Sequence, residues 1–168
     1  MIKVGLMGYG KAGKAVANVL AADPRYQLSW VLRRQSHANE HMEGKPGIPV
    51  RGMIGLNLSD WLDEHPVDAI VDFSQASSVQ WYASEVEARQ IMLVTAISNY
   101  SDESLELLRS MGKQTKVLCS PNITLSICRL PLFSPFTTLV KVRLRPPHAT
   151  APPPRRVAIG GAAAPSNR

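Results

Sequence analysis

The sequence predicts an α/β fold: a doubly wound parallel sheet with helices on both faces. Three observations carry that expectation. Short apolar segments rich in β-branched residues alternate with amphipathic helical segments through residue 120. Buried parallel strands read as such continuous apolar runs, and strand–helix alternation is the pattern of layered α/β domains. A glycine-rich turn, Gly8-Tyr9-Gly10-Lys11-Ala12-Gly13, stands directly between the first strand and the first helix.

In order, Ile2–Met7 reads as a buried strand, and Lys14–Leu20 as a helix that stops near Asp23-Pro24. Tyr26–Leu32 is a second strand, with Leu28, Trp30 and Leu32 in alternation. Residues 35–53 are polar and carry Pro46-Gly47 and Pro49, which predicts a loop. A short helix spans about 59–64, opened by Ser59 as its N-cap. Val67–Phe73 is the next strand. Residues 75–89 are helical, with Val79, Tyr82, Ala83 and Val86 on one face. Ile91–Ala96 is a strand. Ser101 caps a helix bearing Leu105, Leu107, Leu108 and Met111, for which Gly112 is the natural stop. Lys116–Cys119 is the last strand, ending at Ser120-Pro121-Asn122.

The 168 residues suffice for one domain with a real core, and no apolar run is long enough to cross a membrane. Lys3, Lys11 and three glycines within residues 1–11 exclude a signal peptide, so the cytoplasm is the expected compartment. Cys119 and Cys128 alone build neither a disulfide framework nor a zinc site. His37, His41 and His65 lack metal-ligand spacing, so no metal is expected. Trp30, Trp61 and Trp81 read as core or partly buried residues rather than stacking platforms, and Cys119 as a small buried hydrophobe.

The net charge of +6 is unevenly placed. Residues 129–168 hold seven cations and no acid, which leaves 12 Lys and Arg against 13 Asp and Glu in the first 128. The same stretch holds 8 of the 13 prolines, including Pro152-Pro153-Pro154. Proline removes backbone donors and fixes φ, so residues 143–168 are expected to be disordered. A basic tail can bind nucleic acid by counterion release. A solvated tail without a partner is the expected case, and nucleic acid is not the expected partner.

The Gly8-x-Gly10-x-x-Gly13 turn carries the chemistry. In this context Gly8 allows the tight turn, Gly10 lets a pyrophosphate approach the backbone, and Gly13 permits close helix–strand packing. The helix N-terminus at Lys11 and Ala12 offers N–H groups and partial positive charge to phosphates. These features define a Rossmann-type dinucleotide site. A site for NADH usually places a carboxylate about 20 residues on. Here Arg33-Arg34 stands there, with Arg33 20 residues after Gly13, and guanidinium groups suit a 2′-phosphate. NADPH is therefore the expected cofactor, with NADH possible. In such a sheet the ligand crosses the carboxyl ends of the strands. Phe73 and Ser74, Thr95 and Ala96, and Ser120 and Asn122 occupy those ends and are the remaining candidate contacts. Asp72, beside them, is read equally as a cap for the following helix.

Taken together, residues 1–127 resemble the nucleotide-binding half of dihydrodipicolinate reductase (4-hydroxy-tetrahydrodipicolinate reductase). Four segments carry the resemblance, in the family's order. They are the Gly8–Gly13 turn; Asp72-Phe73-Ser74, like D-F-T; Thr95-Ala96-Ile97-Ser98, where the family often has G-T-T-G; and Ser120–Ile127, like A-P-N-F-S-x-G-V. The glycines of G-T-T-G are absent, and Ser126 replaces a glycine. The resemblance implies NAD(P)H-dependent reduction of the cyclic precursor in lysine and diaminopimelate synthesis. A sister amino-acid dehydrogenase and a non-catalytic nucleotide-binding module are the alternatives. In the family a second domain follows, with a His-His pair and a nearby Lys that protonates the product. Residues 128–168 show neither, and His148 lies between Pro147 and Ala149. No residue of this chain is therefore assigned a catalytic role. A frameshifted or truncated gene is expected, since a wrong frame of GC-rich DNA encodes Arg, Pro and Ala; a real, short, tail-bearing protein is the other reading. The domain division is 1–127 for the nucleotide-binding unit and 128–168 for the tail. Without the second domain, the family's tetramer is not expected.

Overall fold

The computed structural model describes residues 1–35 and 40–120. Its strands are β1 (Ile2–Met7), β2 (Tyr26–Arg33), β3 (Glu40–Met42), β4 (Lys45–Gly52), β5 (Ala69–Asp72), β6 (Met92–Thr95) and β7 (Val117–Cys119). Its helices are α1 (Lys11–Ala22), α2 (Leu58–Glu64), α3 (Ser78–Ala88) and α4 (Asp102–Gln114). The strands form one sheet in the order β3-β4-β2-β1-β5-β6-β7. Every pairing is parallel except β3 with β4. This is the doubly wound Rossmann-type α/β sheet that the strand–helix alternation implies.

Side-chain alternation sends apolar residues to two cores. Val4 and Leu6 of β1, Val71 of β5 and Val94 of β6 join Val16, Ala17 and Leu20 of α1. Met7, Ile70 and Leu93 point the other way, into a cluster with Leu62 of α2, Val79, Tyr82 and Val86 of α3, and Leu108 and Met111 of α4. The helix periodicity thus identified the buried face of α3 correctly. In β2 the alternation breaks. The register against β1 passes from Leu28 to Trp30, skipping Ser29. Leu28 therefore packs with α1, whereas Trp30 and Leu32 join the opposite core. Trp30 packs against β1 at Gly5: a Cβ on Gly5 would sit 2.1 Å from its ring. Its indole Nε1 donates to the His65 carbonyl at 3.0 Å, and His65 stacks on Trp61 at 3.9 Å.

Residues 35–53, expected to be a loop, hold β3 and β4. The prolines misled because they lie outside the main ladder. β4 pairs with β2 only through Val50, Arg51 and Gly52, and Pro46 and Pro49 precede that stretch. Three smaller corrections concern helix ends. α1 begins at Lys11, so Gly13 lies inside it. Asn57 rather than Ser59 caps α2, accepting from the Ser59 N–H. α4 runs through Gly112 to Gln114, while Ser101 caps it as expected. Leu105 and Leu107 of α4 are only half-buried.

β1 and β5 meet at the middle of the sheet. Lys3 and Asp68 clamp one end: the Lys3 N–H donates to the Asp68 carboxylate at 2.8 Å, and the Asp68 N–H to the Lys3 carbonyl at 2.9 Å. At the other end the Phe73 N–H donates to the Met7 carbonyl at 2.7 Å. The expected disorder of 143–168, and the whole tail from 128, lie outside the described residues. So do Asn122, Cys128, His37 and His148.

Candidate functional site

The C-terminal ends of β1, β2 and β5 converge on one cavity of about 400 Å³. Its walls are the turn Gly8, Tyr9 and Gly10; Arg33, Arg34 and Gln35 at the end of β2; and Phe73, Ser74 and Gln75 after β5, with Met53. A change of strand order puts it there: β1 is flanked by β2 on one side and β5 on the other, the place where α/β sheets open a crevice.

The three glycines differ in what holds them. Gly8 has φ +92°, a left-handed conformation that favours glycine, and a Cβ there would sit 2.5 Å from the Phe73 carbonyl group. The Gly8 N–H donates to the Leu32 carbonyl at 2.8 Å, tying the turn to β2. A Cβ on Gly13 would lie 1.9 Å from the Gly8 carbonyl oxygen. Both positions are glycine because the protein's own backbone occupies the space. Gly10 has an ordinary φ of −77° and nothing within 4 Å of a would-be Cβ.

Gly10 is also the N-cap of α1, and no side chain caps that end. No acidic residue lies in the first turn. The leading N–H groups of an α-helix have no intrahelical partner, so this end carries open donors and partial positive charge. Lys11 and Ala12 are exposed there, and Lys14 lies 5.5 Å over the Tyr9 ring. Arg33 forms an ion pair with Glu40 at 3.2 Å. Arg34 is exposed and makes no ion pair with a described residue.

The loop after β5 is held from below by Asp72, which is fully buried. Its Oδ1 accepts from the Ser74 N–H at 2.8 Å and from the Ser74 hydroxyl at 2.5 Å. Its Oδ2 accepts from the Tyr82 hydroxyl at 2.8 Å. Asp72 thus braces Ser74 against α3 and does not cap that helix, which corrects one of the two sequence readings. Burial pushes the Asp72 carboxyl above the usual carboxylate range, and its hydrogen bonds to Ser74 and Tyr82 pull it partly back. Burial, then the Asp72 charge, pushes the Tyr82 phenol well up. Beside it, the Thr95 hydroxyl hydrogen-bonds Tyr100. Burial raises Tyr100 as well, and it raises the Cys119 thiol.

Of the candidate residues, Gly8, Gly10, Arg33, Arg34, Phe73 and Ser74 line the cavity. Lys11, Ala12 and Gly13 form the first turn of α1 beside it. Thr95, Ala96 and Ser120 lie at the neighbouring strand ends, outside the cavity wall, and the Ser120 N–H donates to the Thr95 carbonyl at 2.9 Å. Tyr9, Gln35, Met53 and Gln75 were missed. Three of them adjoin the motifs and could have been included; Met53 follows β4, the strand that the prolines concealed. The brace from Tyr82 left no signal, because a tyrosine on the buried face of a helix reads as core. Among the described residues, no group of three or more His, Cys, Asp or Glu could hold a metal, and no helix is long and apolar enough to cross a membrane.

Comparison with known proteins adds the context. A family profile described as dihydrodipicolinate reductase, N-terminus, matches residues 2–123. A curated 4-hydroxy-tetrahydrodipicolinate reductase from Bdellovibrio bacteriovorus is 26% identical over 130 residues, covering 77% of this chain and 48% of that protein. The chain thus spans about half the length of this relative. Among solved structures, a dipicolinate-bound dihydrodipicolinate reductase from Paenisporosarcina sp. TG-14 aligns with TM-score 0.55 and 20% identity, over 73% of this chain and 48% of that one. GenD2 of gentamicin A biosynthesis, solved with NAD, aligns with TM-score 0.57 and 22% identity, over 72% and 34%. A Synechocystis biliverdin reductase, solved with biliverdin and NADP+, aligns with TM-score 0.52 and 15% identity, over 70% and 37%.

Proposed function

The chain belongs to the dihydrodipicolinate reductase N-terminal family, and on that premise we propose that residues 1–127 are the cofactor-binding unit of an NAD(P)H-dependent reductase. The substrate would be the cyclic dihydrodipicolinate precursor of lysine and diaminopimelate synthesis, and the compartment the cytoplasm. Gly10 carries the proposal. Gly8 and Gly13 are explained by contacts inside the protein, whereas nothing in the protein requires glycine at 10. A side chain there would stand between the cavity and the uncapped N-terminus of α1. Its absence lets an anionic group reach the open N–H donors, and a diphosphate matches that donor set.

The remaining residues fit the same ligand. Gly8 brings the turn against Phe73, so the backbones of β1 and β5 form one continuous cradle. Asp72 and Tyr82 fix Ser74 at its edge. Arg34, with no ion pair among described residues, is the group best placed to take a 2′-phosphate, and NADPH is the favoured cofactor. The bound nicotinamide supplies the hydride. This chain's own residues bind and orient the nucleotide; the family layout assigns product protonation to the second domain.

Titration of the purified chain with NADPH and NADH, followed by nucleotide fluorescence, tests the proposal. NADPH is expected to bind more tightly. Arg34→Ala is expected to weaken NADPH by about tenfold, the worth of one charge-assisted contact, and to leave NADH unchanged. If neither nucleotide binds at millimolar concentration, the dinucleotide reading is wrong. If both bind equally and Arg34→Ala changes neither, the 2′-phosphate assignment is wrong.

A further inference from the structure

The two arginines at the end of β2 are not equivalent. Arg34 has no charged partner among the described residues. The Arg33 guanidinium, which lines the cavity, is held by the Glu40 carboxylate at 3.2 Å. Fold topology creates that pair. Glu40 opens β3, which folds back antiparallel on β4, so that Glu40 stands opposite Val50. β4 in turn lies beside β2, where Arg33 stands opposite Gly52. Gly52 has no side chain to stand between Arg33 and β3, and the guanidinium reaches across. The hairpin therefore sets a negative charge against Arg33, one of the two cations that line the cavity.

We infer that Glu40 is a specificity-determining residue: its carboxylate competes with a cofactor 2′-phosphate for Arg33 and so keeps the site open to NADH as well as NADPH. The inference rests on the dinucleotide reading above. A cation already paired at 3.2 Å offers a phosphate less than a free one. Glu40 also repels a dianion brought up to Arg33. NADH carries no 2′-phosphate and is affected by neither. The pair is about a third exposed, with side-chain exposures of 41% and 30%. Solvent screening therefore limits the effect to a modest factor rather than an absolute gate.

The test is a set of three variants titrated with NADPH and with NADH at low salt. Glu40→Gln frees Arg33 and removes the repulsion, so NADPH is expected to bind about fivefold to tenfold more tightly, with NADH within about twofold of the wild type. Arg33→Met removes the cation from the cavity wall and is expected to weaken NADPH. In the double variant Arg33 is no longer there to be freed, so Glu40→Gln is expected to change NADPH affinity by no more than about twofold relative to Arg33→Met alone. This order does not depend on any single variant. The inference is overturned if Glu40→Gln leaves the NADPH-to-NADH ratio unchanged, or if the ratio moves because NADH weakens. It is also overturned if Glu40→Gln has the same effect when Arg33 is already Met. If the wild-type chain binds neither nucleotide, the dinucleotide reading fails and this inference falls with it; binding of both with an unmoved ratio refutes only Glu40.

Discussion

Alanine at Gly13 and alanine at Gly10 are the same chemical change three residues apart, and the structure assigns them opposite consequences. At Gly13 the new methyl group would lie 1.9 Å from the Gly8 oxygen and 2.8 Å from the Gly8 carbonyl carbon. The obstacle is backbone, so α1 must move off the turn by about 1 Å or more to relieve it. Overpacking of this kind costs about 1–3 kcal/mol, and a rigid opponent puts the cost at the upper end. Alanine recovers about 1 kcal/mol of helix propensity, since Gly13 lies within α1. The net loss is about 2 kcal/mol, or roughly 8 °C in midpoint for a domain of this size. At Gly10 the methyl group meets nothing within 4 Å, and φ is −77°. Stability should fall by no more than about 1 kcal/mol, the difference between glycine and alanine at an N-cap. NADPH affinity should fall by at least about tenfold, because the methyl group stands where the diphosphate must approach. Urea melts and nucleotide titration of both variants separate the two outcomes. A Gly13→Ala chain as stable as the wild type would refute the close packing of turn and helix. A Gly10→Ala chain that binds NADPH normally would refute the argument that carries the proposed function.

Two further outcomes concern the brace beneath the site. Tyr82→Phe deletes the donor to Asp72 Oδ2 at nearly constant volume, and the buried oxygen left unpaired should cost about 1–3 kcal/mol in a urea melt. The second is a pH dependence. Burial raises the folded-state pKa of Asp72 above its unfolded value, so the folded chain holds that proton more tightly. The resulting stability is fully present below the unfolded value of about 4 and is lost as pH rises through the raised folded value. The wild type should therefore lose stability relative to Asp72→Asn as pH rises from about 4 toward 7, as read from melts at several pH values. A flat difference would contradict the sign.

Most of the sheet was legible because its strands are apolar on both faces and separated by amphipathic helices, as in β1, β5 and β6. The hairpin of β3 and β4 was not, since Pro46, Gly47 and Pro49 argue against a strand. The pairing of β4 with β3 at Lys45, Pro49 and Val50, and with β2 at Val50–Gly52, makes one, and neither is announced by a local pattern. The skipped residue at Ser29 was equally hidden: a register shift depends on the neighbouring strand, and here it lets the Trp30 ring cover Gly5. The glycine turn and the paired arginines could be located from spacing alone. The ion pair that distinguishes Arg33 from Arg34 could not, because it depends on a carboxylate delivered from β3. The buried link from Tyr82 to Asp72 joins residues ten apart on different elements, and no local pattern announces it.

The meeting of β1 with β5 has a consequence for how the domain opens. In the described sheet this is the only strand pairing that joins β1–β4 to β5–β7. The cavity straddles it, with Gly8, Tyr9 and Gly10 on one side and Phe73, Ser74 and Gln75 on the other. Parting the two halves at this line would dismantle the cavity, and a molecule seated in it would have to leave first. A nucleotide bound at a hundred times its dissociation constant therefore adds about 2.7 kcal/mol to the work of opening. That protection would fall on the amides nearest the line, including those of Met7 and Phe73, so their hydrogen exchange would slow more on loading than that of the outlying β3. A ligand seated in this cavity would act as the rivet between the two halves.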